Sequence, residues 1–133
     1  KEIKKNDLKN VNLSQLNFSF LLDIIKPETI DHYYILNPDP WEKKRHYKRR
    51  LLNIENIIKI YRSLKKQGSI TITTDSDSYR NEIELSINAN SGSFDFVQIQ
   101  EIKAKDPLHG ATNYQRKAIA NKKKIYKIQI LRN

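Results

Sequence analysis

Apolar residues recur along this chain at two periods, and the periods divide it into elements. Ile54, Ile57, Ile58, Tyr61 and Leu64 keep the three- and four-residue spacing of one helix face, with Lys59, Arg62, Lys65 and Lys66 off it. Asn53 can cap the first turn, Glu55 suits its positive end, and Gly68 can close the helix, so a helix is expected over about 53–67. Period-two alternation marks strands instead. It is plainest over 125–131, where Ile125, Lys127, Gln129 and Leu131 alternate with Tyr126, Ile128 and Ile130, a strand with one buried face. Residues 94–102 alternate through Phe94, Phe96 and Gln98; residues 69–74 are mostly β-branched or hydroxylated; residues 32–37 are rich in strand formers and stop at Pro38. Helices are also expected over 79–87 and, shorter, over 18–25 before Pro27, and a weak alternation over 11–16 gives a short strand. Residues 1–7 are charged, a helix end or a frayed tail.

The order strand, helix, strand, helix, strand, strand predicts an α/β fold. Its first part implies parallel strands joined by right-handed helical crossovers, and its last two strands can form an antiparallel edge. That is the second half of a Rossmann-like sheet, in a single domain over residues 1–133.

Composition narrows the partners. Lys and Arg number 25 against 15 Asp and Glu, a formal charge of +10 that favours an anionic partner: nucleic acid, phospholipid or an acidic protein. The many Lys, Asn and Ile residues also fit an AT-rich coding sequence, so only clustering of the charge separates the two readings. With no Cys, disulfides, thiolate metal sites and Cys nucleophiles are excluded. The three His, at 32, 46 and 109, keep no ligand spacing, and no metal is expected. The longest apolar run, 18–25, is broken by Asp23 and far too short to span a bilayer. No signal peptide is read at the Lys-rich start, so a cytoplasmic location is expected, and the initial Lys is compatible with a fragment or a processed product.

The charge does cluster. Asn37-Pro38-Asp39-Pro40-Trp41-Glu42 follows a predicted strand, where ligands bind in open α/β sheets, and two prolines restrict the backbone that aims Asp39. Six Lys or Arg follow within 43–50, with His46 and Tyr47 among them. Such a run can neutralise phosphates while its rings stack on bases. The alternative is a solvated loop anchored by Trp41.

Pro38-Asp39-Pro40-Trp41, Lys43 and Arg45-His46-Tyr47-Lys48-Arg49-Arg50 resemble the signature of the bacterial tRNA (guanine-N7)-methyltransferases. Thr73-Thr74-Asp75 followed by Tyr79, Thr112-Asn113-Tyr114-Gln115, and the run 125–132 resemble further segments of that family, in order and spacing. The stretch 8–18 resembles the one that contacts the cofactor adenine. The resemblance implies the C-terminal part of a class I methyltransferase domain using S-adenosyl-L-methionine on tRNA. It implies Asp39 at the catalytic centre and also touching the cofactor, with Asn17 as a second cofactor contact. Lys43 and Asp75 become substrate contacts, Thr112, Asn113, Tyr114 and Gln115 complete the substrate pocket, and Arg45, His46, Tyr47, Lys48, Arg49 and Arg50 become the tRNA-contacting run.

There are departures. Asn37 stands where the family has Phe, Asn17-Phe18 where it has Asp-Ala, and Asn113 and Gln115 where it has Lys and Glu. The three glycines, Gly68, Gly92 and Gly110, include no Gly-rich turn, so the first strand, its turn and the ribose-binding acid are expected before residue 1, and this chain alone is expected to be inactive. Asp75 could also simply cap the next helix, and Thr112 and Gln115 could lie in an ordinary loop. Two other functions compete: a non-catalytic RNA-binding remnant, and a methyltransferase for exocyclic amines, whose Asn-Pro-Pro-aromatic loop 37–41 superficially echoes. The residue between the prolines and the basic run argue against the latter. The sequence is silent on oligomeric state and on which tRNAs are used.

Overall fold

Two isoleucine-rich strands start the sheet. The computed structural model describes residues 9–102 and 113–133, without the side chains of Gln115 and Ile119. In chain order the elements are α1 (Phe18–Ile24), β1 (Ile30–Leu36), a 3-10 helix (Lys44–Arg49), α2 (Ile54–Ser63), β2 (Leu64–Thr74), α3 (Asp77–Asn88), a 3-10 turn (Ser91–Ser93), β3 (Phe96–Ile102), α4 (Asn113–Ala120) and β4 (Ile125–Leu131). The sheet order is β1-β2-β4-β3, with β1 parallel to β2 and β4 antiparallel to both of its neighbours.

The α/β class and the parallel start are as expected. The antiparallel strand is β4, and it lies inside the sheet with β3 outside it. Burial explains the placement. Ile125, Ile128 and Ile130 of β4 are fully buried, whereas Phe96 of β3 is exposed, as an outer strand allows. Cross-strand pairing makes the two faces unlike each other. Ile35, Ile72, Ile128 and Ile99 stand in one row across all four strands, and Tyr33, Ile70, Ile130 and Val97 in the next. These rows meet Ile57 and Ile60 of α2 and Tyr79, Ile83 and Ile87 of α3 in one core. The opposite face carries the row Tyr34, Thr71, Gln129 and Gln98, in which Tyr34 is exposed.

Three expectations need correction. Residues 11–16 form no strand, because no neighbouring strand takes up their backbone groups. The helix begun by Asn53 ends at Ser63, and Leu64 already enters the core as the first residue of β2. Gly68 therefore ends no helix. It lies within β2, where a Cβ would stand 2.8 Å from the Lys65 carbonyl oxygen and 2.9 Å from that of Asp31. Close approach of two backbones is what demands glycine there.

Candidate functional site

Parallel pairing of β1 and β2 brings their C-terminal ends together, and the residues that follow both strands share one edge of the sheet. Asn37 leaves β1 in the left-handed region (φ 51°), which asparagine tolerates well. Its N–H donates to the Thr73 carbonyl at 2.9 Å, and its Oδ1 accepts from Thr73 Oγ1 at 3.4 Å. Asp39 is exposed, and its Oδ1 accepts from the Trp41 N–H at 3.2 Å, a local turn that leaves the second carboxylate oxygen open. Trp41 itself is left-handed (φ 43°), a conformation that an aromatic residue holds only when its surroundings impose it.

Asp75 follows β2, with its side chain 16% exposed. It does not cap α3, since Ser76 does so by accepting from the Tyr79 N–H at 3.3 Å. The Asp75 carboxylate instead accepts from the Tyr114 hydroxyl at 2.7 Å and faces Lys123 Nζ at 3.4 Å. That hydrogen bond holds the Tyr114 phenol above its ordinary pKa. Between these groups opens a cleft of about 630 Å³. Asn37, Pro38 and Pro40 line its first wall, Asp75 and Ser76 the second, and Tyr114 and Lys123 the third. Glu42 also lines it, accepting from Ser76 Oγ at 2.6 Å and Ser78 Oγ at 3.1 Å, where its charge meets the positive end of α3.

The basic run forms the 3-10 helix of a strap joining β1 to α2. Lys43, Lys44, Arg45, Lys48 and Arg49 are exposed, and His46 and Tyr47 are half-buried. Arg49 lies over the Trp41 ring at 5.0 Å, and His46 meets the same ring edge-on at 5.6 Å. Arg50 departs from its expected place in the RNA-contacting run, being only 2% exposed. Its Nε donates to the Pro40 carbonyl at 2.7 Å, one terminal nitrogen to Ser78 Oγ at 2.9 Å and the other to Glu82. Its guanidinium also packs between the rings of Tyr47 (3.6 Å) and Tyr79 (4.8 Å). A guanidinium buried and engaged at all three nitrogens is an anchor that fastens the Asp39 loop to α3, out of reach of a phosphate at the surface.

Asn17 also takes a role the sequence did not reveal. It does not line the cleft, and its Oδ1 caps α1 by accepting from Ser19 N at 2.9 Å and Phe20 N at 3.4 Å. Asn113 is exposed at the start of α4. Thr112, His109 and the Gln115 side chain lie outside the described residues. Sequence reasoning missed Glu42, Ser76, Ser78 and Lys123. Ser76 carries a local signal, a cap residue just before an apolar periodic run, but Lys123 reaches Asp75 only through the fold. Among the described residues no group of three or more His, Asp or Glu gathers as a metal site, and no helix is long and apolar enough to cross a membrane.

A family model described as putative methyltransferase matches residues 1–128. A tRNA (guanine-N(7)-)-methyltransferase of Agrobacterium fabrum is 32% identical over 118 residues, covering 87% of this chain and 50% of the relative. One of Leptospira interrogans is 31% identical over 130 residues, covering 96% of this chain and 58% of the relative. A bifunctional methyltransferase of Rickettsia typhi is 29% identical over all 133 residues, which make up 25% of that protein. The chain thus spans about half the length of the two guanine-N7 relatives.

Proposed function

The chain belongs to the putative methyltransferase family, and from that premise we propose that it is the guanine-holding part of a tRNA (guanine-N7)-methyltransferase. The whole protein would act on the variable-loop guanine at position 46. The observation that carries the reading is the cleft at the ends of β1 and β2, lined by Asp75, Lys123 and the prolines on either side of Asp39, with the exposed cations of the strap following directly on that loop. It is supported by the relatives, which bear that activity in their names.

Guanine N7 has a free lone pair, so attack on a methyl group needs no general base. The demands on the protein are alignment and exclusion of water. A guanine offers donors at N1 and N2, and carboxylates are the acceptors that suit them. Asp75, held by Tyr114 and Lys123, is a fixed acceptor on one side. Asp39 does not itself line the cleft, but it sits between Pro38 and Pro40, which do, on a loop held by the Arg50 bond to the Pro40 carbonyl, and it is the second carboxylate proposed to face the guanine.

S-adenosylmethionine, when bound, supplies the electrophilic methyl. The described residues fit one wall of its site and not the whole. Asp39 is free to reach it, but the Asn17 acceptor is engaged in capping. Neither Gly68, inside β2, nor Gly92, in a 3-10 turn, follows a parallel strand. No cofactor cradle can be built from the described residues alone.

Mass spectrometry of nucleosides tests the reading, using tRNA incubated with the protein at its full natural length and S-adenosylmethionine. The expected product is 7-methylguanosine from the variable loop, abolished by Asp39→Ala. Absence of the product from the full-length wild type overturns the assignment.

A further inference from the structure

Besides the strap, the sequence holds a second concentration of cations. Residues 107–133 contain seven Lys or Arg and no Asp or Glu. Five of them, Arg116, Lys117, Lys122, Lys123 and Lys124, fall in α4 and the turn that leads to β4, and all five are exposed. Two have acidic neighbours, Lys123 at 3.4 Å from Asp75 and Lys124 at 3.8 Å from Glu101, but both side chains stay more than half exposed. The negative end of a helix attracts cations, but it amounts to roughly half a charge, too little to account for five.

The turn that displays them is built. Lys122 takes the left-handed conformation (φ 57°), the Lys123 N–H closes back on the Ala118 carbonyl at 2.9 Å, and the Asn121 N–H on that of Lys117 at 3.0 Å. This is the geometry of an ordered helix stop. Topology fixes where it points. β4 is antiparallel to β2 and pairs Tyr126 with Thr74, so the residues before Ile125 stand at the sheet edge that carries Asp75. In the order β1-β2-β4, the strap flanks Asp75 from one side and this turn from the other. Lys123 lines the cleft, and Lys117 lies one turn along α4 from Tyr114, which lines it too.

The cleft therefore has carboxylates within, at Glu42 and Asp75, Lys123 in its lining, and exposed cations on the two segments that flank it. A nucleotide has the complementary pattern, base donors at one end and phosphate at the other. We infer that α4 and the turn to β4 form a second phosphate-binding rim, so that an RNA strand crosses the cleft held on both sides of the inserted base. This rests on the RNA-methylating reading above, and the experiment separates the two.

Binding of fluorescently labelled tRNA to the full-length protein is measured across a potassium chloride series. One variant combines Lys117→Gln, Lys122→Asn and Lys124→Gln, with asparagine chosen for the left-handed position. Lys123, which holds Asp75, is left intact. A second variant combines Arg45→Gln, Lys48→Gln and Arg49→Gln on the strap. Each lost phosphate contact flattens the log–log salt slope by roughly 0.7 to 0.9, so each triple variant should show weaker binding and a slope shallower by about two to three. A strap variant that weakens binding beside a rim variant that does not overturns the second rim alone. If neither variant changes affinity or slope, the RNA-binding reading itself fails. Should the triple rim variant lose its thermal transition, Lys117→Gln with Lys124→Gln decides: weaker binding and a slope shallower by about one to two are expected, and wild-type affinity and slope overturn the inference. Phosphatidylserine vesicles bound by the wild type and released by the rim variant, with tRNA binding intact, would assign the lysines to a lipid surface instead.

Discussion

Burying a guanidinium is tolerable only when its donors find acceptors, and Arg50 meets that condition with Pro40, Ser78 and Glu82. Lysine cannot reproduce it, because a single ammonium lacks both the planar fork and the stacking between Tyr47 and Tyr79. Arg50→Lys should lower the unfolding free energy in urea by about 2 kcal/mol, as expected for breaking a buried polar network. The same variant should leave the salt slope of tRNA binding unchanged. A shallower slope with undiminished stability would instead put Arg50 on the RNA. Tyr79, beneath Arg50, gives a second residue-scale test. Its hydroxyl accepts from the Leu52 N–H at 2.7 Å, and burial pushes its pKa up to about 12 from an ordinary value of 10.0. The folded state keeps this proton longer than the unfolded chain does. The stabilisation is therefore complete below pH 10 and is lost as pH rises through about 12. Urea unfolding at successive alkaline pH values should show that loss in the wild type and less of it in Tyr79→Phe. That variant should start about 1–3 kcal/mol less stable, since the Leu52 N–H loses its acceptor. Equal alkaline slopes would show that the burial of Tyr79 is not what titrates.

At the scale of elements, what could be read from the sequence was whatever has a period or a cap of its own. β4 spans the alternating run 125–131 with Ile128 and Ile130 on its core face, although Ile125 on the other face is buried as well, and α2 begins at the cap supplied by Asn53. The end of α2 could not be read, because Lys65, Lys66 and Gln67 are good helix formers and only packing makes them strand. Leu64 is drawn into the core, and Gly68 is pressed against the Asp31 carbonyl. α4 was not foreseen at all. Ala118 is its one buried side chain among those described, so no apolar stripe announces it. The 3-10 helix of the strap likewise has no period, being shaped by contacts among Trp41, His46, Arg49 and Arg50. The same division runs through the candidate site. The position of Asp75 and of the loop carrying Asp39 at one sheet edge was legible because both come after strand-like runs. Glu42 and Lys123 were not, because their partners Ser76 and Asp75 are distant in sequence.

At the scale of the molecule, one strand completes the sheet. β4 is the partner of β3 and the second partner of β2, and its register joins Ser69 to Leu131. Pairings so distant in sequence make folding slow, since a long loop must close before it is rewarded. A chain ending at residue 122 should keep the β1–β2 pair but leave β3 without a partner among the described strands, and its urea transition should lose cooperativity. A sharp transition in that chain would show that β4 is dispensable. The placement of β4 also has a consequence for biosynthesis. A ribosome adds about 5–20 residues per second, and throughout that time the isoleucine row across β1 and β2 stands without Ile128 beside it. The nascent chain is thus a half-closed ribbon with a sticky edge until residue 131 has cleared the exit tunnel. Protease pulses on stalled nascent chains should find it cleavable up to that length and protected beyond it.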